Sequence, residues 1–93
     1  MSARFLIEVP HDSTMAACVH AVDVFFKTGS HFLTHADWGC KDGVHKAWIV
    51  VDVDSRDEAR AIVPPTFRQH ATIVQLNAFT IDEVENLRRH LAG

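Results

Sequence analysis

The stretch from Ser30 to Asp54, SHFLTHADWGCKDGVHKAWIVVDVD, constrains the chain most, because alternating segments flank a cluster of turn formers: Gly39, Lys41, Asp42 and Gly43. It reads as a long β-hairpin. With a loop from Cys40 to Gly43, Gly39 pairs with Val44 and Trp38 lies opposite His45. Side chains alternate along a strand and opposite residues share a face. One face therefore carries Phe32, Thr34, Ala36, Trp38, His45, Ala47, Ile49, Val51 and Val53. The other carries His31, Leu33, His35, Asp37, Lys46, Trp48, Val50 and Asp52, with His35 across from Trp48. The first face is apolar and the second mixed. A one-residue slip would exchange them.

The flanking segments give the hairpin its partners. Arg4 to Val9 alternates as a strand and Pro10 ends it. Asp12 or Ser13 can cap a helix carrying Met15, Cys18, Val19, Val22, Phe25 and Phe26, with Met15, Val22 and Phe26 read as core and Gly29 as its left-handed stop. Cys18 reads as a small core hydrophobe. Ser55 and Glu58 form a capping box for a short helix that Pro64-Pro65 disrupts. Ala71 to Phe79 is a fourth strand, with Thr72, Val74, Leu76 and Ala78 toward the helices and Ile73, Gln75, Asn77 and Phe79 on the mixed face. Thr80 and Glu83 cap a last helix with Ile81, Val84, Leu87 and Leu91 at helical spacing.

The order is β, α, β, β, α, β plus a C-terminal helix. That succession predicts an α+β, ferredoxin-like domain with an antiparallel sheet in the order 4-1-3-2 and both main helices on one face. A chain of 93 residues is one domain, 1–93, and buries a limited share of its surface. The uncovered sheet face is rich in apolar residues, Trp48 and Phe79 among them, so a homodimer through that face is the natural cover. A net charge of −3 without a Lys/Arg cluster argues against nucleic acid. The apolar run before Glu8 and Pro10 is too short for a signal-peptide core or a membrane span, so a cytoplasmic protein with reduced thiols is expected.

The order of elements, with the runs Phe26-Lys27-Thr28-Gly29, Asp37-Trp38-Gly39, Val51-Asp52-Val53-Asp54 and Gln75-Leu76-Asn77, resembles small stand-alone members of the dimeric α+β barrel superfamily. The resemblance covers nearly the whole chain. It implies two subunits joined by their open sheet faces around a cavity. That superfamily holds stress-responsive barrels, muconolactone-isomerase-like enzymes, cofactor-free monooxygenases, haem-using enzymes and metal-binding proteins, so the fold does not choose the function. No catalytic signature of a characterised branch carries over.

In such a sheet Glu8, His35, Asp37, Lys46, Trp48 and Gln75 converge at one end. The first reading is a small-molecule-binding dimer, with a cofactor-independent isomerase or monooxygenase activity on an apolar or aromatic compound. There His35 is acid or base, Glu8 or Asp37 orients it, and Trp48, Lys46, Gln75 and Asn77 contact the ligand. The second is a zinc, nickel or copper module using His35, His11, Cys40 and His45 around the hairpin end. The third is a structural or regulatory dimer without a ligand.

Overall fold

The computed structural model of the chain describes residues 1–28 and 30–92. The stop expected at Gly29 lies outside them. Four strands, β1 (Ala3–Pro10), β2 (Asp37–Trp38), β3 (Lys46–Val53) and β4 (Thr72–Leu76), form one antiparallel sheet in the order β2-β3-β1-β4. Read from the other edge, this is the expected 4-1-3-2. Among the described residues the helices are α1 (Met15–Thr28), α2 (His31–Thr34), α3 (Arg56–Ile62), α4 (Pro65–Arg68) and α5 (Ile81–Ala92). The fold is α+β with a C-terminal helix.

The central pair explains the core. β1 and β3 pair along their whole length, with Phe5 opposite Val51, Ile7 opposite Ile49 and Val9 opposite Ala47. All six side chains are buried on the face the helices cover. Burying that face removes contiguous apolar area from water, and this contributes more than any other effect to holding so small a domain together. Both capping boxes form their main bond: Ser55 Oγ accepts from Glu58 N at 3.1 Å, and Thr80 Oγ1 accepts from Glu83 N at 3.1 Å.

Four expectations are corrected. The long second strand is instead the helical turn α2 followed by the short β2. A strand would send Leu33 to the open face. A helical turn lets Leu33, 1% exposed, enter the core while Phe32 packs beside it. In the hairpin, Trp38 pairs with Ala47 and Asp37 with Trp48, not Trp38 with His45 and His35 with Trp48. This even shift keeps the paired side chains on their assigned faces but lengthens the loop. The loop folds as a 3-10 turn over Cys40–Asp42, closed by Gly39 N to Lys46 O and Val44 N to Gly39 O. Gly39 is required there, since a Cβ would stand 2.6 Å from Val44 O and 2.8 Å from the Trp48 ring.

The third correction concerns β4. Ile73 pairs with Ile7 and is buried, Gln75 pairs with Phe5, and Val74 lies opposite Leu6 on the open face. Both alternating sets of β4 contain apolar residues. Pairing with β1 puts Ile73 on the covered side, in the cluster with Ala59, Val63 and Ala71. The fourth concerns α1. Cys18, Ala21 and Phe25 face the core, whereas Met15, Val19 and Phe26 are exposed. The helix carries two apolar stripes, and it turns the one containing small residues to the sheet, where close approach favours them.

Two arginines hold the link between α3 and β4. Arg60 Nη1 donates to Arg68 O at 3.2 Å and Ala71 O at 2.9 Å, and Arg68 donates to Val63 O through Nε at 3.1 Å and Nη2 at 2.9 Å. Backbone carbonyls without strand or helix partners need such donors. Arg60→Met keeps the apolar stem and removes the donors. We expect it to lower unfolding free energy by about 1.5–3 kcal/mol, the range for bonds to charged groups, as read by urea denaturation. An unchanged midpoint would show that water replaces the guanidinium.

α5 buries none of its residues. The radius of gyration is 16.6 Å and the molecule measures 54 × 30 × 20 Å, whereas a compact globule of this length has a radius near ~12 Å. Among the described residues, no helix is long and apolar enough to cross a membrane.

Candidate functional site

Three segments bring soft donor atoms together. His11 follows Pro10, where β1 has ended, and its amide donates to His45 O at 3.1 Å, tying it to the start of β3. Cys18 lies on the buried stripe of α1, and Cys40 opens the 3-10 turn; both are free and buried. The ligating atoms of His11, Cys18 and Cys40 all lie within 4.8 Å of one another. The turn matters here. Its inward start takes Cys40 out of the solvent-exposed position that a four-residue hairpin loop would give it.

The histidine is oriented by the backbone. His11 Nδ1 lies 2.9 Å from Asp12 O, and a carbonyl only accepts, so Nδ1 carries the proton. In the neutral ring Nε2 then carries the lone pair; it lies 3.1 Å from Cys40 Sγ, close enough to accept from the thiol. A backbone carbonyl on one imidazole nitrogen, leaving the other free, is how ligating histidines are commonly held.

Burial pushes the Cys40 thiol up from its ordinary 9.0 to about 11, and the hydrogen bond and charge of Cys18 push the same way, against a backbone hydrogen bond that lowers it. At neutral pH Cys40 is protonated. It lacks the thiolate that a nucleophilic cysteine needs. A bound cation changes this balance, because coordination removes the thiol proton outright.

Aromatic rings wall the site. The His11 ring is 6.0 Å from Trp38 and 5.6 Å, edge-on, from His45, while Trp38 lies 4.8 Å from Phe25. His45 Nδ1 is buried without a hydrogen-bond partner. Such an orphaned buried atom is uncommon in a folded protein. The two cysteines and Trp38 also line a groove of about 690 Å³ along α1, with Met15, Val19, Val22 and Phe26.

The residues expected at the sheet end are partly dispersed. Glu8, Lys46, Trp48 and Asp37 do share the open face: Trp48 Nε1 donates to Glu8 Oε1 at 3.0 Å, Lys46 Nζ stands 3.6 Å from the same oxygen, and Asp37 pairs with Trp48. His35 does not join them. It sits exposed at the end of α2, and its Nδ1 bonds within its own turn, 2.9 Å from His31 O. Gln75 points to the covered side of the sheet's edge strand, and Asn77 lies beyond the end of β4.

Of the residues expected around a metal, His11 and Cys40 come together, His45 flanks them, and His35 is elsewhere. Cys18 is the member that sequence reading assigns to packing alone. Its only local signal is its place on an apolar stripe, which any small core residue shares. No protein-family model, curated protein or solved structure matches this chain.

Proposed function

We propose that this chain is a small metal-binding module that holds a zinc or copper(I) ion between His11 Nε2, Cys18 Sγ and Cys40 Sγ, and that it works in the cytoplasm, where free thiols stay reduced. One observation carries the reading: an imidazole whose Nδ1 is held by a backbone carbonyl and two buried thiols, from separate segments, have their ligating atoms within 4.8 Å of one another. Thiolate and imidazole donors suit zinc and copper and do not suit calcium or magnesium. A tetrahedral zinc centre sets its donors about 3.3–3.8 Å apart, so the set needs to close by only about 1 Å at its widest. Three protein ligands leave a fourth position. Cys18 and Cys40 both line the groove, so water or another thiol enters from that side.

The test is a zinc titration of the reduced protein against a chromophoric chelator. We expect one equivalent bound, with thiolate-to-metal absorption when cobalt(II) replaces zinc. An affinity weaker than about 1 μM, short of the 10–16 kcal/mol of structural zinc sites, would remove the claim.

A second reading is carried by the open sheet face. Leu6, Trp48, Val50, Val74 and Leu76 make it apolar, and Glu8, Lys46 and Asp37 give one end a charged rim. In this reading two copies of a ferredoxin-like fold meet there and enclose a small apolar or aromatic ligand against Trp48. Glu8 is its polar anchor, and His35 has no part in it.

A further inference from the structure

We propose that α5 docks in the α1 groove of a second copy of this chain, so that two copies exchange their C-terminal helices. The inference is independent of the metal reading.

Both surfaces lie open. On α1, Met15, Val19, Val22 and Phe26 follow one another at intervals of four, three and four residues along the groove, with Val19 61% and Phe26 56% exposed. On α5, Val84, Leu87 and Leu91 follow at three and four, with Leu87 51% and Leu91 88% exposed. Alternating three- and four-residue spacing is the pattern by which two helices interlock along a seam. It occurs here on two helices of matched length, 14 and 12 residues, neither of which covers the other.

Three further observations select the occupant. The molecule is drawn out to 54 Å and α5 buries nothing on its own body. An amphipathic helix this short is marginal in water unless its apolar stripe is packed. Both rims also carry charge of either sign: the groove has Asp23 and Lys41, and the α5 stripe is flanked by Arg88 and Glu85. Asp23 is already paired at 3.0 Å with Lys27, but that pair is exposed and free to rearrange.

Self-pairing of two α5 helices would cover the stripe of Ile81, Val84, Leu87 and Leu91 but leave the α1 groove open. The α1 groove is held by the core through Cys18, Ala21 and Phe25. A reciprocal exchange forms two identical seams about a two-fold axis, the commonest oligomer symmetry. Each seam also lies over the groove side of Cys18 and Cys40, so the partner's helix controls access to them.

The experiment measures the oligomeric state of the full chain by light scattering and native mass spectrometry for wild type, Val19→Asp, Leu87→Asp and Val50→Asp, with far-UV circular dichroism confirming the fold of each. Wild type is expected as a dimer. Val19→Asp and Leu87→Asp each weaken dimerisation by at least about 30-fold, as for a central interface residue. Val50, on the open sheet face, is outside the seam, and Val50→Asp stays dimeric. An equimolar mixture of Val19→Asp and Leu87→Asp proteins regains one intact seam and associates more tightly than either alone. A monomeric wild type overturns the proposal, as does a mixture no tighter than its components. Loss of the dimer in Val50→Asp with retention in Val19→Asp moves the interface to the sheet face and overturns it equally.

Discussion

Cys40→Ser is expected to reduce zinc affinity by more than about 100-fold while leaving the fold in place. Residues that merely orient a metal ligand cost 10–100-fold when changed, so loss of a direct ligand should exceed that range. Serine has nearly the same size, and its hydroxyl can donate to His11 Nε2 as the thiol does at 3.1 Å. The apo protein should therefore unfold within a few degrees of wild type. Chelator competition reads the affinity and calorimetry the stability. Equal zinc binding by wild type and Cys40→Ser would place any ion elsewhere.

The same thiol gives the site a pH dependence of defined sign. Zinc displaces the Cys40 proton, so below the thiol pKa of about 11 that proton alone raises apparent affinity about tenfold per pH unit. Stability of the apo protein runs the other way. Folding raises the pKa from 9.0 to about 11, so the folded state holds the proton more tightly than the unfolded chain. This contribution is fully present below pH 9 and is lost as pH rises through 11. Urea midpoints across that window should fall for wild type and fall less for Cys40→Ser.

Phe25→Ala is expected to cost about 3–5 kcal/mol, the range for truncating a buried phenylalanine. A domain of this size has about 5–14 kcal/mol in all, so much of the stability is at stake. Phe25 is 1% exposed, with its ring 4.8 Å from Trp38 and 6.1 Å from Phe67. The cavity would open beneath α1 and beside the site wall. Zinc affinity should therefore fall with stability, whereas Cys40→Ser separates the two. A loss below about 1 kcal/mol would mean that α1 turns a different stripe to the sheet.

The contrast between Phe25 and Phe26 shows where sequence reading stops. Both are large, apolar and on α1. A helix with apolar residues on two adjacent stripes does not say which one meets the sheet. The choice depends on how α1 seats on the strands, and the stripe it buries there is Cys18, Ala21 and Phe25. β4 poses the same problem at period two, because Ile73 and Val74 are equally apolar and only pairing with Ile7 buries the former.

The sequence by itself determined what depends on neighbouring residues: four strands in their order, the covered faces of β1 and β3, and the caps at Ser55 and Thr80. These follow from alternation along a strand and from side chains bonding backbone amides a few residues away, both short-range effects. It also marked His11 and Cys40 as donors near one end. Only the tertiary structure decided that Cys18 joins them, that His35 leaves, and that Cys40 turns inward. His11 and Cys40 are 29 residues apart, and no local spacing encodes their approach to Cys18. That meeting is set by the packing of α1 on the sheet and the closure of the 3-10 turn.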